Sequence, residues 1–301
     1  MKNSITKISL LFLIGLIIIG CNATKRVPEG KSLLTDNNIF VNAKKNNQEE
    51  VYAQLHQKQN TSIFGYPLRL NIYNLAKPKT DSLFRARLSQ NPKKYEHLVN
   101  LLSKKQVKRL SESFYYLGIH NFLRKTGEAP VILDTSSIRK STKRLRSYYF
   151  NKGYFDVTAN HVIDSIAPKK TKVRYNLNLG KPYLIDSTRS YITSPVLDSI
   201  YQLRKNNSFI KTGKRFETKN FEEEKNRITT DFRDNGAFRF QQNYVTFDID
   251  SSKSKHITHV NLVIEDENIR VGDSIKTEPF KLYKISKVNI FTDHDPSDPY
   301  A

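Results

Sequence analysis

Leu145-Arg-Ser-Tyr-Tyr149-Phe-Asn-Lys-Gly153-Tyr-Phe155 and Ile228-Thr-Thr-Asp-Phe232-Arg-Asp-Asn-Gly236-Ala-Phe238 are two copies of one pattern, 83 residues apart. Extended backward, Ile138, Leu145 and Tyr149 are spaced 7 and 4, and Phe221, Ile228 and Phe232 repeat those spacings. Apolar residues at such intervals fall on one stripe of a helix. Each Gly stands where the helix must stop, a position whose left-handed conformation costs Gly least. Alternation follows: Val157, Ala159, His161 and Ile163 in the first copy, and Val245, Phe247 and Ile249 in the second. After a charged turn a second alternating run begins, Val173, Tyr175, Leu177 and Leu179, or Val260, Leu262 and Ile264. Period-2 patterning of this kind marks strands buried on one face, as in an antiparallel sheet covered by helices on one side.

The elements upstream complete the unit. Tyr183 to Ile192 reads as a strand with Leu184, Asp186, Thr188 and Ser190 on one side. Pro195 to Leu203 reads as a short helix, with Val196, Ile200 and Leu203 spaced 4 and 3 and Pro near its start. Residues 182–267 are therefore one β-α-α-β-β unit. The first unit, 31–181, takes its opening strand from 38–42, a helix from 47–57 with Val51 and Leu55, a second helix from 137–152, and strands from 154–163 and 171–180. Residues 60–136 interrupt it. There Val107, Leu110, Phe114 and Leu117 precede Gly118, which reads either as a degenerate extra helix unit or as an ordinary helical hairpin. Residues 268–301 read as a linker and the first strand, 283–291, of an incomplete third unit.

The amino terminus sets the compartment. Lys2 and Lys7 flank a start that runs into almost unbroken Leu, Ile and Phe from Ile8 to Ile19. A positive region followed by a short apolar one is the pattern of a secretory leader, and the run is short against the ~20 residues that span a bilayer. It ends in Ile18-Ile19-Gly20-Cys21, and Cys21 is the chain's one cysteine. This resembles the bacterial lipobox, which implies a signal peptide over 1–20, a lipidated linker over 21–30 and three acyl chains, palmitate among them, on Cys21. The alternative is a transmembrane anchor closing on a buried free Cys. Even two chains suffice for stable anchoring. Asn22 stands where a retention Asp would, so the outer membrane is the expected destination, with most of the chain in the periplasm.

Tandem β-α-α-β-β units of this length, each ending its second helix in Gly and aromatics (Tyr149 to Phe155, Phe232 to Phe238), resemble POTRA domains. The fold class expected is α+β, each unit a three-stranded sheet covered by two helices. POTRA arrays belong to the BamA/TamA superfamily of outer-membrane assembly factors, and a lipobox before them is similar to the lipid-anchored TamL branch. The resemblance implies unfolded outer-membrane proteins as partners, with an inner-membrane TamB-like protein or other assembly subunits beside them. It implies that the second strand of each unit is a sheet edge, open to a guest strand by β-augmentation. Phe155, Val157 and Ala159, and Val245, Phe247 and Ile249, are the expected pairing residues. The competing reading makes them core strands with blocked edges. The family's barrel is absent from these 301 residues, so a fragment or a free-standing module is expected.

Composition narrows the function classes. One Cys excludes a disulfide framework and any multi-Cys metal site. No Gly-rich phosphate loop, G-x-S-x-G or H-E-x-x-H occurs. His256 and His259 have odd spacing on one expected strand and so point to opposite faces. No enzyme, cofactor or metal is expected. The formal net charge of +21 calls for an anionic partner, but outside the cytoplasm nucleic acid is not it. Residues 84–152 alone hold 16 basic and 4 acidic residues. Arg85, Arg87, Lys93, Lys94, Lys104, Lys105, Lys108 and Arg109 are therefore candidates to face anionic headgroups, each worth ~1 kcal/mol near such a surface; a solvated helix face is the plainer reading. A lipoprotein that binds an anionic envelope polymer is the alternative function. Five Asp-Ser steps followed by an apolar residue or Thr, such as Asp164-Ser-Ile and Asp273-Ser-Ile, resemble an O-glycosylation sequon, and Asp-Ser is also common turn chemistry. Cys21→Ala is expected to leave an uncleaved, mislocalised precursor; unchanged mass and membrane retention of that variant would refute the lipobox reading.

Overall fold

The computed structural model describes residues 23–77, 80–112 and 117–290. The leader, Cys21, Phe114 and the chain from Phe291 onward lie outside these residues. Two compact units divide the chain, Met1–Arg146 with Thr158–Asn178, and Ser147–Val157 with Leu179–Ala301.

The first unit opens with β1 (Leu33–Val41), β2 (Lys44–Asn46) and a single helical turn, α1 (Glu49–Tyr52). Five short helices follow: α2 (Leu68–Leu75), α3 (Thr80–Ser89), α4 (Pro92–Leu101), α5 (Lys104–Glu112) and α6 (Ile119–Thr126). Then come the long helix α7 (Thr135–Asn151), β3 (Thr158–Ala167) and β4 (Lys170–Asn178). The sheet order is β2-β1-β4-β3. β1 lies parallel to β4 with Ile39 opposite Tyr175, and β3 lies antiparallel to β4 with His161 opposite the same Tyr175. Parallel partners need a crossover connection, and here the helices supply it. Ile39, Val173, Tyr175 and Leu177 from the strands and Ile138 and Leu145 from α7 are buried. Each such apolar side chain contributes ~1.5–3 kcal/mol.

The second unit holds β5 (Leu184–Ile192), α8 (Pro195–Arg204), α9 (Thr218–Asp234), β6 (Val245–Ser252) and β7 (Ile257–Ile264). A hairpin, β8 (Glu267–Val271) and β9 (Ser274–Glu278), follows. Its sheet order is β5-β7-β6, with β5 parallel and β6 antiparallel to β7. One core cluster joins Leu197, Ile228, Phe232, Phe240, Val245, Leu262 and Phe280. A second joins Ile185, Ile210, Phe216, Phe221 and Val260, with Phe155 and Phe247 packed against it. The protein is thus α+β, and both sheets place the first strand of the unit beside the last. Among the described residues no helix is long and apolar enough to cross a membrane.

Several boundaries differ from expectation for identifiable reasons. β1 starts at Leu33 because Leu33 and Leu34 are buried as well; a register shift between Leu34 and Asp36 hides their continuity with the alternating part. The helix expected over 47–57 is one turn. Its far end is taken by side-chain bonds instead: Asn37 donates to the Gln57 carbonyl at 3.2 Å, and the Gln57 amide donates to the Ile132 carbonyl at 2.7 Å. β3 begins at Thr158, not 154, because Tyr154 to Val157 form a turn closed by Val157 N–H on the Tyr154 carbonyl at 3.2 Å. In α8 the buried stripe is Leu197, Ile200 and Tyr201, while Val196 and Leu203 are exposed. Gly118 is itself helical, at φ −63° and ψ −45°, so it stops no helix and does not match Gly153 in conformation. Residues 281–290 form no strand. Ile285, Val288 and Ile290 are largely exposed, and no described strand lies beside them to supply the ladder a strand needs. The β8–β9 hairpin was legible only in its Gly272-Asp273 turn, a two-residue hairpin combination.

The repeated Gly does more than end a helix. Gly153 has φ +83° and Gly236 φ +97°, so both need the left-handed region. Each also accepts a bond from a tyrosine amide: Tyr183 N–H reaches the Gly153 carbonyl at 2.8 Å, and Tyr283 N–H reaches that of Gly236 at 2.7 Å. A Cβ would lie 2.3 Å from the Phe216 carbonyl oxygen at Gly153 and 2.8 Å from the Tyr283 carbonyl oxygen at Gly236. Gly213, at φ +78° with open space around it, isolates the conformational part alone. Gly213→Ala is expected to cost ~1–2 kcal/mol in urea unfolding. Gly153→Ala and Gly236→Ala are expected to cost measurably more, because the backbone must also retreat.

Candidate functional site

The feature with chemical capacity is the pair of open sheet edges. In each sheet the outer side of the first strand is covered only in part. β2 pairs with β1 through Ile39 to Val41. The start of β5 is covered by the loop 213–216: Ile185 N–H donates to Lys214 at 2.8 Å, Gly213 N–H to Ile185 at 2.7 Å, and Phe216 N–H to Tyr183 at 2.9 Å. The other edge is β3 in one sheet and β6 in the other, and no described strand pairs with the outer side of either. Edges are commonly guarded by Lys, Pro, bulges or brevity. β3 is ten residues long and has neither Lys nor Pro, and its one irregularity lies at its far end, between Ser165 and Ala167. β6 has eight residues and no register shift.

A cross-strand ion pair holds β3 flat on β4. The Arg174 guanidinium donates to both Asp164 oxygens, at 2.5 and 2.9 Å. That hydrogen bond holds the Asp164 carboxyl below its ordinary pKa. The sign follows: this contribution is present above the ordinary carboxylate range and is lost as pH falls through the lowered folded value. On an exposed surface such a pair is weak, so its effect is on the position of the edge rather than on global stability.

The six sequence-chosen pairing residues fall into different places. Ala159 lies in β3 and Val245, Phe247 and Ile249 in β6, but Phe155 and Val157 precede β3. Val157 is buried. Phe155 stacks on Phe150 (centroids 4.9 Å apart), Tyr183 (4.7 Å) and Phe216 (5.0 Å). The series continues through Phe221 at 4.7 Å to Phe247 at 5.1 Å. Phe155 and Phe247 are thus linked by one aromatic chain inside the second unit. The two Gly-aromatic motifs read as strand beginnings; the packing role of Phe155 was not visible in the alternation. What each edge leaves outward is Val162, Ile163 and Ile166 on β3 and Ile249 on β6, all exposed.

Asp156, between Phe155 and Val157, accepts from the Tyr183 hydroxyl at 3.0 Å and lies 3.6 Å from His256 Nε2. Burial, with the Asp156 bond behind it, pushes the Tyr183 hydroxyl pKa up. His256 sits in the turn before β7 at φ +55°, whereas His259 is within β7 and bonds Ser187 Oγ at 2.9 Å. A buried carboxylate, Glu224, was missed because it looked like one more charge on a polar helix. It accepts from Phe209 N–H at 2.9 Å and pairs with Arg227 at 2.6 Å, and Arg227 also holds Asp231 at 2.7 Å. This network fixes the loop between α8 and α9.

The eight basic residues lie on three helices: Arg85 and Arg87 on α3, Lys93 and Lys94 on α4, and Lys104, Lys105, Lys108 and Arg109 on α5. All are exposed. They do not make one face, since Arg85 and Arg87 stand roughly 200° apart around their helix. Arg85, Lys104 and Lys108 come together at the rim of a cavity; the other five are not among its lining.

Comparison with known proteins adds a family match. Residues 40–180 match the POTRA family model, described as a surface antigen variable number repeat. No curated protein matches. Among solved structures, POTRA3-5 of Haemophilus influenzae BamA is similar at 12% identity and a TM-score of 0.34, over 80% of this chain and 69% of that one. POTRA1-2 of Omp85 from Anabaena is similar at 10% identity and a TM-score of 0.27, over 78% and 96%. Haemophilus ducreyi BamA lacking POTRA domains 1-3 is similar at 10% identity and a TM-score of 0.32, and the match spans 47% of this chain and 25% of that one.

Core and edge roles separate by mutation. Phe247→Ala, which truncates a partly buried aromatic packed against both core clusters, is expected to lower stability by ~1–3 kcal/mol, and Ile249→Ala to stay within ~0.5 kcal/mol, both read from urea midpoints of the second unit.

Proposed function

We propose that this chain is the periplasmic POTRA module of a lipid-anchored, TamL-like member of the BamA/TamA superfamily. Its open edges β3 and β6 take extended segments of unfolded outer-membrane proteins by β-augmentation. The observation that carries this reading is the ten-residue unguarded edge β3, a strand that lies within the residues matching the POTRA family model. Each main-chain hydrogen bond to a guest contributes ~1 kcal/mol net, with little side-chain selectivity. That suits reversible binding of many clients. Cys21 is the anchor point, and the outer membrane the location.

The internal repeat supports two further parts of the proposal. Tyr183 bonds Gly153 and is followed at once by β5; Tyr283 bonds Gly236 in the same way. Residues 284–290, with Ile285, Val288 and Ile290 exposed, are then the opening strand of a further unit that pairs when its partners are present. A TamB-like protein or other assembly subunits are the partners for surfaces that clients do not use.

A photo-crosslinking residue at Asn160 of β3, Thr246 of β6 or Asn176 of the central β4 tests the edge reading. Incubated with a ~10-residue alternating segment of a membrane barrel, the first two positions are expected to crosslink and Asn176 is not. Equal crosslinking at all three, or none at the edges alongside tight binding of an anionic polymer, would reverse the order in favour of a polyanion-binding lipoprotein.

A further inference from the structure

The residues that follow Cys21 are not a loose tether. Val27 is buried with Leu33 and Leu70, and Ala23 packs against them. The Asn74 side-chain amide donates to the Ala23 carbonyl at 3.3 Å, and the Lys169 ammonium donates to the Val27 carbonyl at 3.1 Å. Ala23 is thus held on the first unit, and the two steps back to Cys21 span at most ~7 Å.

Ala23 shares a cavity of about 430 Å³ with Ser62 and Gly65, and these belong to a turn that is unfavourable on two counts. Ile63 and Tyr66 exchange backbone hydrogen bonds at 3.0 and 2.9 Å around Phe64 and Gly65. Phe64 has φ +49° and Gly65 φ +78°, the signs a type I′ turn requires, and Asn, Asp or Gly is the usual first residue. A bulky side chain in that conformation is an outlier. Phe64 is also fully exposed, the most exposed large apolar side chain among the described residues, and Ile63 is exposed beside it. The base of the turn is fixed. Buried Asn60 donates to the Ala129 carbonyl at 2.7 Å and accepts from Val131 N–H at 3.0 Å. A lone exposed apolar residue needs no explanation. A pair of them, held out by a fixed base and a left-handed backbone next to the anchored start of the chain, does.

We infer that Ile63 and Phe64 insert into the lipid leaflet that holds the acyl chains of Cys21, seating the first unit directly on the membrane surface. The inference rests on the lipid-anchor reading above. Three points select lipid as the occupant. The reach from Cys21 is short, so the leaflet that holds its chains lies next to Ala23 and the cavity Ala23 shares with the turn. A projecting tip of two apolar side chains enters a bilayer without a shaped partner, whereas a stable protein interface needs ~20–30 residues a side. The tip is already ordered, so removing its aromatic surface from water carries little further ordering cost. The anchor also keeps the turn at high effective concentration against the surface, so a contact of two side chains suffices.

The test uses the full chain purified from membranes and reconstituted in phosphatidylcholine vesicles that contain doxyl-labelled lipid. A maleimide fluorophore is placed at Ser62→Cys, or at Lys44→Cys beyond the far end of β1, whose first residue Leu33 lines the cavity and whose last, Val41, pairs with Lys44. Doxyl quenching is expected to be several-fold stronger at position 62 than at 44. Adding Phe64→Asn is expected to bring position 62 down to the level of 44 without lowering the urea midpoint, because Asn suits the left-handed turn. Phe64→Leu is expected to keep most of the quenching. Equal quenching at the two positions, or quenching indifferent to Phe64→Asn, would overturn the inference on an acylated chain. So would shielding of position 62 from aqueous iodide without doxyl quenching, which would mean that protein covers the turn. The anchor reading is checked apart from this. Labelling of the unsubstituted chain at Cys21, with an unacylated amino-terminal peptide by mass spectrometry, would remove the anchor and this inference with it.

Discussion

The parallel pairing of the first strand of each unit with its last is the constraint from which the rest follows. Once β1 lies beside β4 and β5 beside β7, the chain must cross over in helices, and those helices cover one face. The remaining strand, β3 or β6, joins the far side of β4 or β7. It is therefore an edge in both sheets. The opposite edges are covered in part by local devices, β2 along Ile39–Val41 in one sheet and the loop 213–216 at the start of β5 in the other. An edge with no described strand beside it, on the same strand of the repeat in both sheets, is the feature on which the proposed strand capture rests.

A second constraint sits at the helix ends. Gly153 and Gly236 meet two demands at once, a left-handed backbone and a backbone neighbour within reach of where a Cβ would be. The aromatics around them are not decoration of a strand. Phe155 and Phe247 are joined by a chain of rings running through Phe216 and Phe221. The second unit thereby builds its core with residues that precede β3 in sequence, and this is why Ser147–Val157 belongs to the second compact unit.

Much of this was legible from patterning. The helical stripes Ile138-Leu145-Tyr149 and Phe221-Ile228-Phe232 are buried as their spacing demands, and the alternation of β4 and β7 places Val173, Tyr175, Leu177, Val260, Leu262 and Ile264 inward. Other parts depended on long-range partners. The helix expected over 47–57 lost its far end to Asn37 and Gln57, whose hydrogen bonds join residues 20 and 75 positions apart. The stripe of α8 was drawn on Val196 and Leu203, though the neighbouring Leu197 is the buried one; over a ten-residue helix, two stripes fit the spacing almost equally well. Of the pairing residues, Ala159 and Ile249 sit on edges, while Phe155 and Val157 lie before β3, because alternation does not reveal where a strand starts. The cationic residues were read as one surface, yet only the packing of α3 on α5 shows which three share a cavity.

Main-chain hydrogen exchange of the full chain, with and without an unfolded segment of an outer-membrane barrel, tests the central claim most directly, because it reads the backbone bonds that define β-augmentation. The account predicts added protection at alternate amides of 158–165 in β3 and 245–252 in β6, with β4 and β7 unchanged. Binding that leaves both edges exchanging as before, or protects residues elsewhere instead, would contradict it.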